Sequence, residues 1–148
     1  MKIGKLKISS ESRPPFIIAE ISANHNNSLN RTLKLVDAAK DAGADAVKLQ
    51  TYKPETITLK SFKKDFLIKN NKSLWKGKYL HQLYKKGSLP WEWHHKIFQR
   101  AKKNKIICFS TPFDETAVNF LKKFKCPLYK IASFENNHIP LIQKAAST

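Results

Sequence analysis

Ala46-Val47-Lys48-Leu49-Gln50 is an apolar run that takes on a lysine and a glutamine towards its C-terminal end, and other segments follow the same plan. They are Phe16-Ile17-Ile18-Ala19-Glu20, Ile106-Ile107-Cys108-Phe109-Ser110-Thr111 and Leu128-Tyr129-Lys130-Ile131-Ala132-Ser133, each followed by helical material. Parallel strands buried on both faces read as near-continuous apolar runs, so charged and amide groups at their ends serve something other than packing. Catalytic groups drawn from the C-terminal ends of several strands are the layout of a (β/α) barrel. The sequence therefore predicts an α/β fold in which about four βα units form the N-terminal half of a TIM (β/α)8 barrel. Residues 1–14, with Ile3, Leu6 and Ile8 among lysines, read as a short strand or hairpin before the partial barrel of residues 15–148.

The punctuation between the runs is regular. Strand one, about residues 16–21, leads into the polar loop from Ser22 to Asn27. Ser28 is placed to cap a helix in which Leu29, Leu33, Val36 and Ala39 recur at helical spacing, and Gly43 is placed to stop it in a left-handed conformation. Strand two covers about 45–50. The segment from Thr51 to Leu89 is too long for an ordinary βα connection and carries helical material around Tyr79 to Lys86. Pro90 fits the first turn of a helix capped by Ser88, with Trp93, Ile97 and Ala101 facing inward. Strand three is expected at about 105–110. Asp114 then caps a helix whose inward stripe is Ala117, Phe120, Leu121 and Phe124. Strand four is expected at about 127–132, with a last helix from about Pro140.

At 148 residues, 41% hydrophobic and 11% aromatic, the chain is one domain's worth and can build a core. No run approaches the roughly 18 apolar residues of a membrane span. Lys2, Lys5 and Lys7 interrupt any apolar leader, so the cytoplasm is the expected location. Cys108 and Cys126 lack metal-type spacing and read as buried thiols. The formal charge of +17 attracts anions. The lysines, however, are scattered in pairs such as Lys63-Lys64 and Lys122-Lys123 with no nucleic-acid motif around them, and lysine predominates over the planar arginine fork that reads bases. A lysine-rich solvated surface with an anion-binding cleft is the reading; neither nucleic acid nor membrane is an expected partner.

Four stretches carry a family resemblance. Ile18-Ala19-Glu20-Ile21-Ser22-Ala23-Asn24-His25-Asn26, the run from Ala42 to Tyr52, Phe109-Ser110-Thr111-Pro112-Phe113-Asp114 and Tyr129-Lys130-Ile131-Ala132-Ser133-Phe134-Glu135 are similar, in order, to the signatures of the sialic acid synthase family. These are phosphoenolpyruvate-dependent synthases of nine-carbon sugars, and the similarity runs from about Pro15 to the last residue. Within the family, Leu49-Gln50-Thr51-Tyr52, Leu74-Trp75-Lys76-Gly77 and Pro90-Trp91-Glu92-Trp93-His94 resemble the pseudaminic acid branch more than the N-acetylneuraminate branch.

The resemblance implies that phosphoenolpyruvate is joined to an N-acetylated amino sugar. A divalent metal, Mn or Mg, polarises the sugar aldehyde, the enol carbon attacks, water adds at the cationic centre and phosphate leaves by C–O cleavage. It implies further that Lys48 and Lys130 hold the donor's phosphate and carboxylate as point charges, with the Thr111 and Ser133 hydroxyls completing the cradle. Glu20 and Gln50 fall nearer the reacting carbons, Glu20 positioning water or moving a proton. Glu135 is either a substrate-binding group or a structural partner of Lys130. The family's metal-binding histidines come from later barrel strands, so no ligand for the metal is expected in this chain. Its antifreeze-like domain, which completes the neighbouring subunit's site in the expected homodimer, has no counterpart here either.

Plainer readings stand beside these. Glu20 and Lys48 can form a structural ion pair, and Lys130 can be a snorkelling surface lysine. His25 reads as holding its polar loop rather than a metal. His94 and His95 occupy adjacent helical positions that point different ways, and Trp91 and Trp93 read as core. Two readings of the whole remain open: the N-terminal part of a synthase, with N-acetylneuraminate synthase as the neighbouring enzyme, or a non-catalytic truncated remnant that keeps the anion site. Half of a barrel of roughly 250 residues reads as part of something larger, and catalysis by these residues alone is not expected.

Overall fold

The computed structural model describes residues 2–3, 6–7 and 14–148. Its centre is a three-stranded parallel sheet of β3 (Ile18–Glu20), β4 (Ala46–Thr51) and β5 (Ile107–Pro112), side by side in chain order. Helices α1 (Leu29–Asp41), α2 (Pro54–Ile57), α3 (Leu80–Gly87), α4 (His94–Lys103), α5 (Glu115–Lys122) and α6 (Ile139–Ala146) make up the connections and the C-terminal end. At the N-terminus β1 (Lys2–Ile3) pairs antiparallel with β2 (Leu6–Lys7); Ile8 and the rest of the expected hairpin lie outside the described residues. The fold is thus α/β around a parallel sheet.

The helix boundaries follow from capping chemistry. The Ser28 Oγ accepts the Arg31 amide at 3.2 Å and opens α1. Gly43 closes it at φ +83°, where its amide reaches the Lys40 carbonyl and the Ala44 amide reaches that of Ala39, both at 3.0 Å. That pair of bonds satisfies two of the last carbonyls of the helix, and glycine adopts the required backbone without a Cβ clash. Asp114 caps α5 by accepting the Thr116 and Ala117 amides at 2.8 and 3.0 Å.

Three expectations need correction. Ser88 does not cap the helix after Pro90; it ends α3, with its hydroxyl donating to the Lys85 carbonyl, and a 3-10 turn over Trp91–Trp93 leads into α4 at His94. Strand three starts two residues later than expected because Lys105, at φ +54°, and Ile106 are used in closing α4 on the Lys102 and Ala101 carbonyls. The ladder consequently runs on through Thr111 and Pro112. Strand four shrinks to one parallel bridge, Tyr129 on Ser110, with the Lys130 amide donating to the Ser110 carbonyl at 3.2 Å. Pro127 has no amide to offer, and a 3-10 turn over Ser133–Glu135 takes the chain away just beyond.

Side-chain alternation divides the sheet. Val47, Leu49 and Cys108 face α1 and α4, where Val36, Ile97 and Ala101 complete a buried cluster. Arg100 and Asn104 fasten α4 to α1 through the Asp37 carboxylate, each at 2.7 Å. Lys48 and Gln50 fall on the opposite side, since successive residues of a strand point to opposite faces.

His94, at the start of α4, is wholly buried, and burial pushes its pKa down to about 4. Its Nδ1 donates to the Pro90 carbonyl at 3.3 Å and its Nε2 lies 2.8 Å from the Thr51 hydroxyl. The folded chain therefore holds this imidazole neutral, whereas the unfolded chain protonates it below about pH 6.5. With the folded pKa below the unfolded one, its contribution is complete above pH 6.5 and is lost as the pH falls towards 4; the shift corresponds to something on the order of 3 kcal/mol. Urea midpoints measured between pH 7.5 and 4 should fall through this window in the native chain and fall distinctly less in His94→Gln. An identical pH profile for the two would contradict the assignment.

Candidate active site

The register of the three strands assembles the site. Glu20 is opposite Lys48 across β3 and β4, and Gln50 is opposite Thr111 across β4 and β5. Paired residues of neighbouring strands share a face, so the carboxylate, amine, amide and hydroxyl gather at the C-terminal end of the sheet. The segment bridged at Tyr129 adds Lys130 and Ser133. Together these six residues line one cavity of about 310 Å³. Of the expected site residues only Glu135 falls outside its lining: its Oε2 is 3.3 Å from His138 Nδ1. The 3-10 turn at Ser133–Glu135 gives it to His138, so the pairing with Lys130 that the sequence suggests is not formed.

Charge in the cavity is arranged around Lys48. Its ammonium forms an ion pair with Glu20 Oε2, while the other oxygen of Glu20 accepts the Ser22 amide at 3.1 Å. Ser22 reaches that position with φ +44°, a left-handed conformation for a residue with a side chain. Burial first, and then the positive charge of Lys130, push the Lys48 amine below its ordinary value. The two lysines thus repel each other across the cavity. The ion pair with Glu20 is real, and both of its members face the cavity.

Thr111 supplies the most specific signal. It is 2% exposed, and its Oγ1 has no hydrogen-bond partner among the described residues although it lines the cavity. A buried hydroxyl left unpaired costs about 1–3 kcal/mol. Such a group is ready to donate to a ligand oxygen.

Aromatic residues that the sequence reading did not single out for the site form its rim: Tyr52, Tyr84, Phe113 and Phe134. Tyr52 and Phe113 each follow a strand end by one residue, which is the signal that could have found them. Their rings meet edge to face at 5.4 Å, and Phe134 lies 5.6 Å from Phe113. Tyr52 is buried, which raises its pKa to about 12, and it donates to the Tyr84 carbonyl at 3.3 Å.

The histidines hold structure. His25, wholly buried, donates from Nε2 to the Gly87 carbonyl at 3.2 Å and accepts the Asn27 amide at Nδ1 at 3.1 Å. It pins the loop after β3 to the end of α3. Among the described residues no three His, Cys, Asp or Glu side chains converge as a metal site, and both nitrogens of His25 and of His94 are engaged by the protein. The described residues by themselves do not fit a divalent metal.

Comparison with known proteins places the whole chain among its relatives. The chain is 50% identical over 137 residues to the pseudaminic acid synthase of Campylobacter jejuni, covering 93% of this chain and 38% of that protein. It is 47% identical over 136 residues to the pseudaminic acid synthase of Helicobacter pylori, covering 92% of this chain and 39% of that one. The crystal structure of an N-acetylneuraminic acid synthetase from Leptospira borgpetersenii superposes with a TM-score of 0.80 at 31% identity, over 99% of this chain and 46% of that chain. The chain therefore spans less than half the length of these relatives. The NeuB family profile matches residues 35–148, a stretch that contains β4, β5, Lys48, Gln50, Thr111, Lys130 and Ser133, and the chain belongs to the NeuB family.

Proposed function

We propose that this chain provides the phosphoenolpyruvate-binding part of a synthase that condenses that donor with an N-acetylated amino sugar, giving a nine-carbon nonulosonic acid and phosphate. The observation that carries the reading is the unpartnered, buried Thr111 hydroxyl facing a cavity with two mutually repelling lysines. A small trianion answers each of these features at once. It supplies acceptors for the hydroxyls of Thr111 and Ser133 and charge for Lys48 and Lys130. Identities of 47–50% to pseudaminic acid synthases, against 38% to an N,N'-diacetyllegionaminic acid synthase of Legionella pneumophila and 28% to the human N-acetylneuraminate-9-phosphate synthase, favour the pseudaminic acid precursor as acceptor. Three parallel strands in chain order, a fourth segment bridged beside them and polar groups at their C-terminal ends support the fold as the N-terminal half of a (β/α)8 barrel.

In this reaction the enol carbon of the donor bonds to the sugar's aldehyde carbon, water adds to the adjacent donor carbon, and the phosphate leaves with its bridging oxygen. The lysines hold the phosphate and carboxylate and spread the charge of the departing group. Glu20, held by the Ser22 amide and by Lys48, positions the attacking water or takes its proton. Gln50, beside Thr111 in the ladder, orients the acceptor.

Donor binding is open to direct test by calorimetric titration of the chain with phosphoenolpyruvate. Lys130→Ala should weaken binding by about 1.5–3 kcal/mol, roughly 10- to 150-fold, and the native affinity should fall as salt is added. Affinities unchanged in both Lys130→Ala and Lys48→Ala would remove the assignment.

Glu20→Gln preserves shape and removes the proton acceptor. In the synthase that contains this chain, turnover should drop by about 10² or more with donor affinity little altered. A variant with full specific activity and a lower melting temperature would make Glu20 purely structural.

A further inference from the structure

On the face of the sheet turned away from the cavity lies a polar chain none of whose members lines that cavity. His94, Thr51 and Ser110 are all fully buried. They share a layer with Val47, Leu49, Cys108 and Ile97, where apolar side chains would incur no cost of desolvation. The Thr51 hydroxyl is 2.8 Å from His94 Nε2 and 2.7 Å from the Ser110 hydroxyl. His94 Nδ1 is 3.3 Å from the Pro90 carbonyl.

The directions of these bonds are determined. A carbonyl only accepts, so the proton of the neutral imidazole sits on Nδ1 and Nε2 must accept. Thr51 spends its only hydroxyl proton on Nε2, so the proton between Thr51 and Ser110 comes from Ser110. The chain continues through the backbone, because the Ser110 carbonyl accepts the Lys130 amide at 3.2 Å. That bond and the Tyr129 bridge join the Lys130 segment to the sheet.

Each link adjoins a residue of the cavity. Thr51 is covalently next to Gln50, Ser110 is next to Thr111, and Lys130 hangs from Ser110. Apolar residues would fill this layer equally well but would add no directional constraint at the strand ends; hydrogen bonds of defined direction do. We infer that His94 is a positioning residue: by anchoring the hydroxyls of Thr51 and Ser110 it fixes Gln50, Thr111 and Lys130 in the arrangement that receives the donor anion. The inference rests on the donor-site reading given above.

Two substitutions at one position separate positioning from mere stability. Thr51→Val keeps the branched shape and loses the hydroxyl, whereas Thr51→Ser keeps the hydroxyl and loses a methyl. Phosphoenolpyruvate affinity by calorimetry and melting temperature are to be measured for both in the full chain, with His94→Gln alongside. Thr51→Val should bind about 3- to 30-fold more weakly, the range for residues acting through a packed network. Thr51→Ser should stay within roughly two-fold of the native chain even where the lost methyl lowers its melting temperature. Affinity that follows melting temperature across the set, or native affinity in Thr51→Val, overturns the inference. If the unaltered chain binds no phosphoenolpyruvate, the donor-site reading fails, and the methyl NMR signal of Thr111 then decides this point alone. A shift of that signal in Thr51→Val and its restoration in Thr51→Ser supports the coupling, and an unmoved signal refutes it.

Discussion

Everything in this molecule depends on β4 being paired on both sides in one register. Ala46, Val47 and Lys48 bond to β3, and the whole of β4 bonds to β5. A slip of one residue would turn Lys48 and Gln50 into the apolar layer beneath α1 and α4 and bring Val47 and Leu49 into the cavity. The unfavourable transfer of a lysine into that layer is what forbids the slip. The apolar cluster thus selects the register, and the register in turn delivers Glu20 to Lys48 and Gln50 to Thr111. Packing and site geometry are two results of one constraint.

Much of this is legible from residue order because the signals are local. Ser28, Gly43 and Asp114 act within three residues of where they stand, so their roles follow from capping chemistry alone. The polar ends of the apolar runs likewise point to the cavity, since alternation is a property of each strand by itself. What escapes is whatever depends on a neighbour distant in sequence. Ser88 resembles a cap for the helix that follows it, yet the turn at Trp91–Trp93 intervenes and α3 uses it instead. Glu135 resembles a partner for Lys130 until the backbone after Ser133 tightens and hands it to His138. The aromatic rim of Tyr52, Phe113 and Phe134 is assembled from three segments that only the tertiary structure brings together.

His25 and His94 show why histidine identity is a poor guide to metal chemistry. Both are buried, and both spend their two ring nitrogens on the protein itself. One ties the loop after β3 to the end of α3; the other ties α4 to the ends of β4 and β5. An imidazole is well suited to this work because it offers one donor and one acceptor at opposite edges of a rigid ring. It bridges two backbone elements that no single hydroxyl can span.

The order of β3, β4 and β5 in space is also their order along the chain. β3 and β4 are joined through α1 alone, and β4 and β5 through the longer stretch that carries α2, α3 and α4. Neither connection spans another strand of the sheet, which keeps the entropy of closing each loop below that of pairing more distant segments. During synthesis on a ribosome such a sheet can grow by accretion, one βα unit docking on the last, without waiting for sequence still to be made. The exception is β3, whose outer edge has no strand beside it among the described residues, leaving Ile17 and Ile18 half exposed. While the chain is being made, that edge offers unpaired backbone groups to a chaperone or to another nascent strand.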